Sequence, residues 1–250
     1  MTDMTDDIEQ TTAHRPWPMP DGSWIMFQSW REQLFAHWRL PAAQVRPLVP
    51  AQLELDTFDG DAWVGITPFL ITGLRMRGLP ELPFGSEFPE LNVRTYVTVN
   101  GQGGVYFFSL DAGSNLAVMA ARVGYGLPYH AADMEITTDD EGWIHYRCSR
   151  DTGDADFDVR YRAQAGEPQA AEPGTLDHFL TERYAFFLVR GEKIVRGDIH
   201  HRPWLLQPAQ AVFEENTMGV AAGLALPIEQ PLLHYSAQQD ALIWPPATVG

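Results

Sequence analysis

The chain has 250 residues, 45% of them hydrophobic and 12% aromatic, with 33 acidic against 17 basic residues and a formal net charge of −16. That sign excludes a polyanion-binding surface, because nucleic acid and anionic membranes are repelled. The polar start MTDMTDDIEQ lacks the basic and apolar stretches of a secretory leader, no apolar run reaches the roughly 20 residues of a membrane helix, and the single cysteine, Cys148, excludes an intrachain disulfide. The expected location is the cytoplasm.

With 21 Gly and 19 Pro among many short apolar runs, the sequence predicts a loop-rich β architecture rather than a helical bundle. Residues 1–22 read as a loose polar arm and 23–250 as one domain. FQSWREQLFAHWRL (27–40) mixes apolar and charged residues and leads into a helical segment over 42–49, where Val45, Leu48 and Val49 have helical spacing and Pro50 is the stop. LELDTFDG and DAWVGITPF read as two strands joined at the turn dipeptide Asp59-Gly60.

ELNVRTYVTVNGQGGVYFFSLDAG (90–113) predicts a long hairpin, turning at residues that tolerate positive φ. In its first strand Glu90, Asn92, Arg94, Tyr96 and Thr98 share one face, and Leu91, Val93, Thr95, Val97 and Val99 the other. The polar face is either an ordinary solvent face or the wall of a barrel interior or cleft; alternation does not separate the two. SNLAVMAAR (114–122) predicts a short helix, followed by the loop GYGLPYH. Strands follow in MEITT, GWIHYRCS and ADFDVRYRA, then a loop over 165–174, a short helix capped by Thr175, and a hairpin of YAFFLV with KIVRGDIHH.

No standard catalytic or metal-binding motif is present: GxSxG, HExxH, CxxC and GxxxxGK[ST] are all missing. Cys148 reads as a small core residue rather than a nucleophile. His200 and His201 are adjacent on a strand and point to opposite faces, which does not suit one metal ion. Lys193, the only lysine, falls at a hairpin turn, where a solvated ammonium makes a poor imine-forming amine. The sequence thus calls for no metal and no cofactor.

Long motifs carry a resemblance: HWRLPAAQVRPLVPAQLELDTFDGDAWVGITPF, FPELNVRTYV, GVYFFSLDA, ARVGYGLPYHAADM, FLTERYAFF and IHHRPWLLQ. Over residues 27–215 the chain resembles the uncharacterised DUF2071, or YqjF-like, family, which is similar to acetoacetate decarboxylase. The resemblance implies a β-dominated α+β fold, a cone-shaped antiparallel barrel with surrounding sheet, a few short helices and an interior active site. The decarboxylases carry Arg-Glu-x-x-Gly-x-Pro-Lys-Lys, whose first lysine forms a Schiff base. Arg122, Gly126 and Pro128 fit that frame, Val123 replaces the glutamate, and Tyr129 and His130 stand in the two lysine positions. The resemblance also places Glu90 at an active-site glutamate and Arg31 at a carboxylate-orienting arginine.

Without an amine there is no imine, so the lysine-dependent decarboxylase mechanism is excluded for this chain. Three readings stay open. In the first, Tyr129, His130 and Glu90 perform lysine-independent enolisation, hydration or hydrolysis of a small keto or hydroxy acid, gripped by Arg31 or Arg94 with Asn92 and Arg122 nearby. In the second, the same pocket binds a small carboxylate or apolar metabolite without turnover; in the third, the polar face is structural. Arg183, Tyr184 and Trp204 are further candidates for the pocket lining. The expected partner is a small molecule, and the decarboxylase resemblance is compatible with a homo-oligomer.

Overall fold

In a computed structural model that describes residues 4–81, 85–114 and 126–249, long strands alternate with short helices. The elements are α1 (Met4–Gln10), β1 (Met26–Pro41), α2 (Ala42–Val45) running into a 3-10 turn (Arg46–Leu48), β2 (Glu54–Leu55), β3 (Asp61–Met76), β4 (Phe88–Val99) and β5 (Gln102–Ala112). They continue as β6 (Tyr129–Thr138), β7 (Ile144–Arg150), β8 (Asp156–Ala163), β9 (Gln169–Ala170), α3 (Leu176–Thr181), β10 (Ala185–Arg190) and β11 (Lys193–His201). The chain closes with β12 (Leu205–Asn216), α4 (Met218–Ala221), β13 (Leu232–Ile243) and β14 (Ala247–Val249).

Turn chemistry fixes the local joints. Asn100 and Gly101, at φ 50° and 76°, form the two-residue turn of the β4–β5 hairpin. Thr175 caps α3 by accepting from the His178 amide at 3.3 Å. The Asp59-Gly60 turn also forms, with both residues at positive φ. The two flanking strands do not pair with each other, however: β2 pairs with β4, and β3 lies between β1 and β4. Of the helix expected over 114–122, all but Ser114 lies outside the described residues.

Followed through its pairings, the sheet closes on itself twice. One ring runs β5, β6, β7, β8, β12, β13, β1, β3, β4 and back to β5. A second runs β5, β10, β11, β13, β1, β3, β4 and back to β5. The shared wall of β13, β1, β3, β4 and β5 therefore has a covered interior on both faces. This explains its composition. Residues 62–69 of β3 and 33–38 of β1 are buried without interruption, as expected for strands with no solvent face.

Leu34, Ala36, Val64, Ile66 and Val93 point into the nine-stranded ring, against Tyr146, Phe157 and Tyr161. Trp63, Tyr96 and Val105 point into the seven-stranded ring, against Phe186, Leu188 and Val195, with Leu180 of α3 closing one end. Gly104 lets the second ring close: a Cβ there would stand 2.6 Å from the Ala185 carbonyl oxygen and 2.6 Å from the Phe187 ring.

The N-terminal arm is docked rather than loose. Ile8 of α1 is buried against Phe27, Leu242 and Trp244. Arg15 donates to the Ile199 carbonyl at 2.8 Å and lies 4.8 Å over the Tyr184 ring. Among the described residues no helix is long and apolar enough to cross a membrane.

Candidate functional site

The polar face of β4 points inward. Glu90, Asn92 and Tyr96 are buried and Arg94 is half-buried, all on the sheet face that carries Trp63, Thr67 and Phe69 of β3. The surface alternative for this strand is thus excluded. β4 brings Glu90 opposite Phe69, and the parallel pairing of β5 with β6 brings Tyr129 beside Leu110. The Tyr129 hydroxyl then donates to Glu90 Oε2 at 2.9 Å.

Burial dominates the electrostatics here. Glu90 is 5% exposed, and desolvation pushes its carboxyl up to about 8. The Tyr129 hydrogen bond opposes that shift by favouring the anion, and the negative charge of Asp111 adds to it. Asp111 is itself fully buried. Arg150 grips it in two places, Nε to Oδ1 at 2.6 Å and Nη2 to Oδ2 at 2.9 Å. A neutral carboxyl with a tyrosine hydroxyl on it is therefore held beside a closed ion pair that gives it no cation.

Farther along the same face Thr67 donates to Asn92 Oδ1. Beyond it, His37, Arg94, Tyr96 and His234 gather. The Tyr96 hydroxyl donates to the Leu180 carbonyl at 2.8 Å and pairs with His37 Nε2 at 2.7 Å. Because that tyrosine proton is already committed, His37 donates through Nε2. Burial, then the charges of Arg94 and His234, keep His37 far below its ordinary value, so it is neutral. Gly65 makes room for the pair: a Cβ there would meet the His37 ring at 3.0 Å and the Arg94 stem at 3.5 Å. Arg94 lies 5.5 Å from the Phe35 ring centroid and donates to the Leu180 carbonyl at 3.3 Å. Aromatic rings wall the site: Trp30 stacks on Trp204 at 5.8 Å, Phe35 meets Trp204 edge-on at 4.8 Å, and Trp30 meets Phe69 at 6.1 Å.

The structure thus brings together Glu90, Tyr129, Asn92, Arg94 and Trp204, and separates the other candidates from them. β6 is an ordinary strand from Tyr129 onward, so His130 points to the opposite face. The expected Tyr–His couple is split, with His130 toward Asp154. Arg31 lies opposite Trp30 on β1 by the same alternation. It is exposed, in a surface cleft with Arg75, Glu87 and Asp240, and cannot share a ligand carboxylate with Glu90. Arg183 is the exception: its guanidinium borders the site, 4.8 Å over the Tyr96 ring, but it is held as a strut, paired with Asp56 at 2.7 Å and donating to the Phe179 carbonyl at 2.6 Å. Tyr184 is buried behind the wall, stacked on His201 at 4.7 Å with its hydroxyl on Glu182. Arg122 lies outside the described residues.

Lys193 is exposed at the β10–β11 turn, far from any amine role inside a ring, and Cys148 is buried with its thiol pushed up by desolvation. His200 and His201 spend their ring nitrogens on Ile8, Arg15, Arg183 and Arg202. The sequence reading missed His37, His234, Trp30 and the Asp111–Arg150 pair. The available signal was the run Gln33–Trp38 of β1, buried without interruption, whose polar letters and flanking Arg31 and Arg39 disguise it as an amphipathic surface strand.

Comparison with known proteins agrees with this architecture. Residues 27–240 match the model of DUF2071, described as an uncharacterized conserved protein. The chain is 47% identical over 227 residues to the uncharacterized protein YqjF of Bacillus subtilis (strain 168), covering 91% of this chain and 93% of that one. Among solved structures it is similar to the enduracididine biosynthesis enzyme MppR complexed with pyruvate, with a TM-score of 0.63 at 13% identity over 96% of this chain and 95% of the other. It is likewise similar to acetoacetate decarboxylase from Legionella pneumophila, with a TM-score of 0.62 at 11% identity over 95% and 93% of the two chains. An acetoacetate decarboxylase-like enzyme from Sphingomonas wittichii RW1 gives 0.60 at 14% identity over 90% and 92%. The fold is acetoacetate decarboxylase-like, and the chain belongs to the DUF2071 family.

Proposed function

We propose that the Glu90–Tyr129 pair is a lysine-independent acid–base centre acting on a small oxo or hydroxy acid. The observation that carries this reading is a carboxyl pushed up to about 8, hydrogen-bonded by the tyrosine that stands where the resembled decarboxylases carry their Schiff-base lysine. A group titrating near the working pH serves both as acid and as base. In the enolisation of an oxo acid, ionised Glu90 takes the proton from the carbon next to the carbonyl, and the electron pair moves onto the carbonyl oxygen. Tyr129 holds the resulting enolate oxygen through its hydroxyl. Glu90 then returns the proton to carbon. Arg94, half-buried on the same strand face, pairs with the substrate carboxylate. The pyruvate bound to the similarly folded MppR supports an oxo acid as the ligand class.

The test is hydrogen exchange of pyruvate methyl protons in D2O, followed by 1H NMR. The reading requires exchange above the buffer rate, with about one-tenth of Glu90 ionised at pH 7 and the rate rising about tenfold toward a plateau above pH 8. Glu90→Gln abolishes exchange, Tyr129→Phe slows it by about 10²-fold, and borohydride traps no adduct. Exchange that survives Glu90→Gln overturns the proposal. A second reading, a binder without turnover, is favoured by one observation: His130, the other titratable candidate, faces away. It requires pyruvate binding that Arg94→Ala weakens while Glu90→Gln leaves it intact, with no exchange at all.

A further inference from the structure

A second site lies in the other ring. At one mouth of the nine-stranded ring is a cleft of about 580 Å³, lined by Glu32, Tyr235, Arg162, Gln210, Glu141 and Ile144 among others. That volume suits a small metabolite. Its carboxylate is placed by the backbone: β1 bulges between Arg31 and Ala36, and Glu32 in that bulge has φ 53°, a left-handed conformation costly for a residue with a Cβ. Two tyrosines fix it there. Tyr161 donates to the Glu32 carbonyl at 2.6 Å, and Tyr235 donates to its carboxylate. Among the described residues Glu32 has no ion-pair partner. The cleft's cation, Arg162, is also held: its guanidinium lies 4.5 Å over the Trp143 ring, and the Gln210 amide oxygen, turned to face it, accepts from Nη2 at 2.7 Å. A fixed carboxylate and a fixed guanidinium thus line one cleft without being paired to each other.

We propose that this cleft binds a small zwitterion, an amino acid whose ammonium pairs with Glu32 and whose carboxylate pairs with Arg162. The site is separate from Glu90 and Tyr129, and its test is separate as well. Isothermal titration of the whole protein with glycine, 4-aminobutanoate and 6-aminohexanoate reads the span between the two charges, with hexylamine and hexanoate as single-charge probes. The expected result is that one member of the series binds at least about tenfold more tightly than either single-charge probe. Glu32→Gln, which can still accept from Tyr235, and Arg162→Gln each remove that advantage. Ala163→Leu, which narrows the cleft without touching either charge, weakens binding too, whereas Glu90→Gln leaves it unchanged. Absence of binding across the series, binding indifferent to Glu32→Gln, or hexylamine binding as tightly as the zwitterions overturns the proposal.

Discussion

At the residue scale, Glu90 gathers most of the consequences. Its carboxyl is pushed up from 4.5 to about 8, chiefly by burial. Between those values the folded state holds a proton that the unfolded chain has released, so stability falls as pH rises through that window and levels off above it. A shift of that size corresponds to several kcal/mol, at about 1.4 kcal/mol per pH unit. Urea unfolding at pH 5 and pH 8.5 checks this: the parent loses stability at the higher pH, and Glu90→Gln flattens the slope. Equal slopes would show that Glu90 is not the group that sets the pH dependence. The Tyr129 hydroxyl favours the anion, so Tyr129→Phe moves the Glu90 titration upward. Glu90 and Tyr129 were legible in the sequence because the FPE and GLPYH stretches place them. Their neighbours His130 and Arg31 were misplaced for one reason, that a strand sends adjacent side chains to opposite faces. The motif marks the backbone position; the pleat decides which of the two neighbours enters the site.

At the element scale, the site depends on how β5, β6 and β7 are clamped. Asp111 on β5 and Arg150 on β7 straddle β6, the strand that begins at Tyr129. Arg150→Met leaves Asp111 buried without its counter-charge and costs about 3–5 kcal/mol, while the double variant Asp111→Asn/Arg150→Met recovers much of that loss. A denaturation double-mutant cycle measures the difference. Gly104→Ala presses a methyl onto the Ala185 carbonyl and the Phe187 ring, where β5 pairs with β10. It costs about 1–3 kcal/mol, and a Gly104→Ala protein as stable as the parent would mean that this contact relaxes freely. Hairpins and caps were legible element by element, as Asn100-Gly101 and Thr175 show. β12 and β13 were not. The sequence of β13, LLHYSAQQDALI, mixes letters because it faces two interiors and a partly open rim, so it has no single period to read.

At the scale of the whole molecule, the two rings share five strands, so loss of that wall opens both interiors at once. Trp fluorescence and far-UV CD are expected to report one coincident urea transition in the parent, in Arg150→Met and in Gly104→Ala. Resolved transitions would show that the rings unfold separately. The β-rich class was legible from composition and turn residues. The double closure was not, because it rests on pairings between β11 and β13 and between β5 and β10 that no local pattern encodes. The shared wall holds a neutral carboxyl at Glu90, poised to exchange a proton. A 13C NMR titration of glutamate-labelled protein, assigned with Glu90→Gln, observes that group itself. One side-chain carboxyl is expected to titrate near 8 and to be absent from the variant. If every glutamate carboxyl titrates near its ordinary value of 4.5, Glu90 is an ordinary anion and the acid–base reading is wrong.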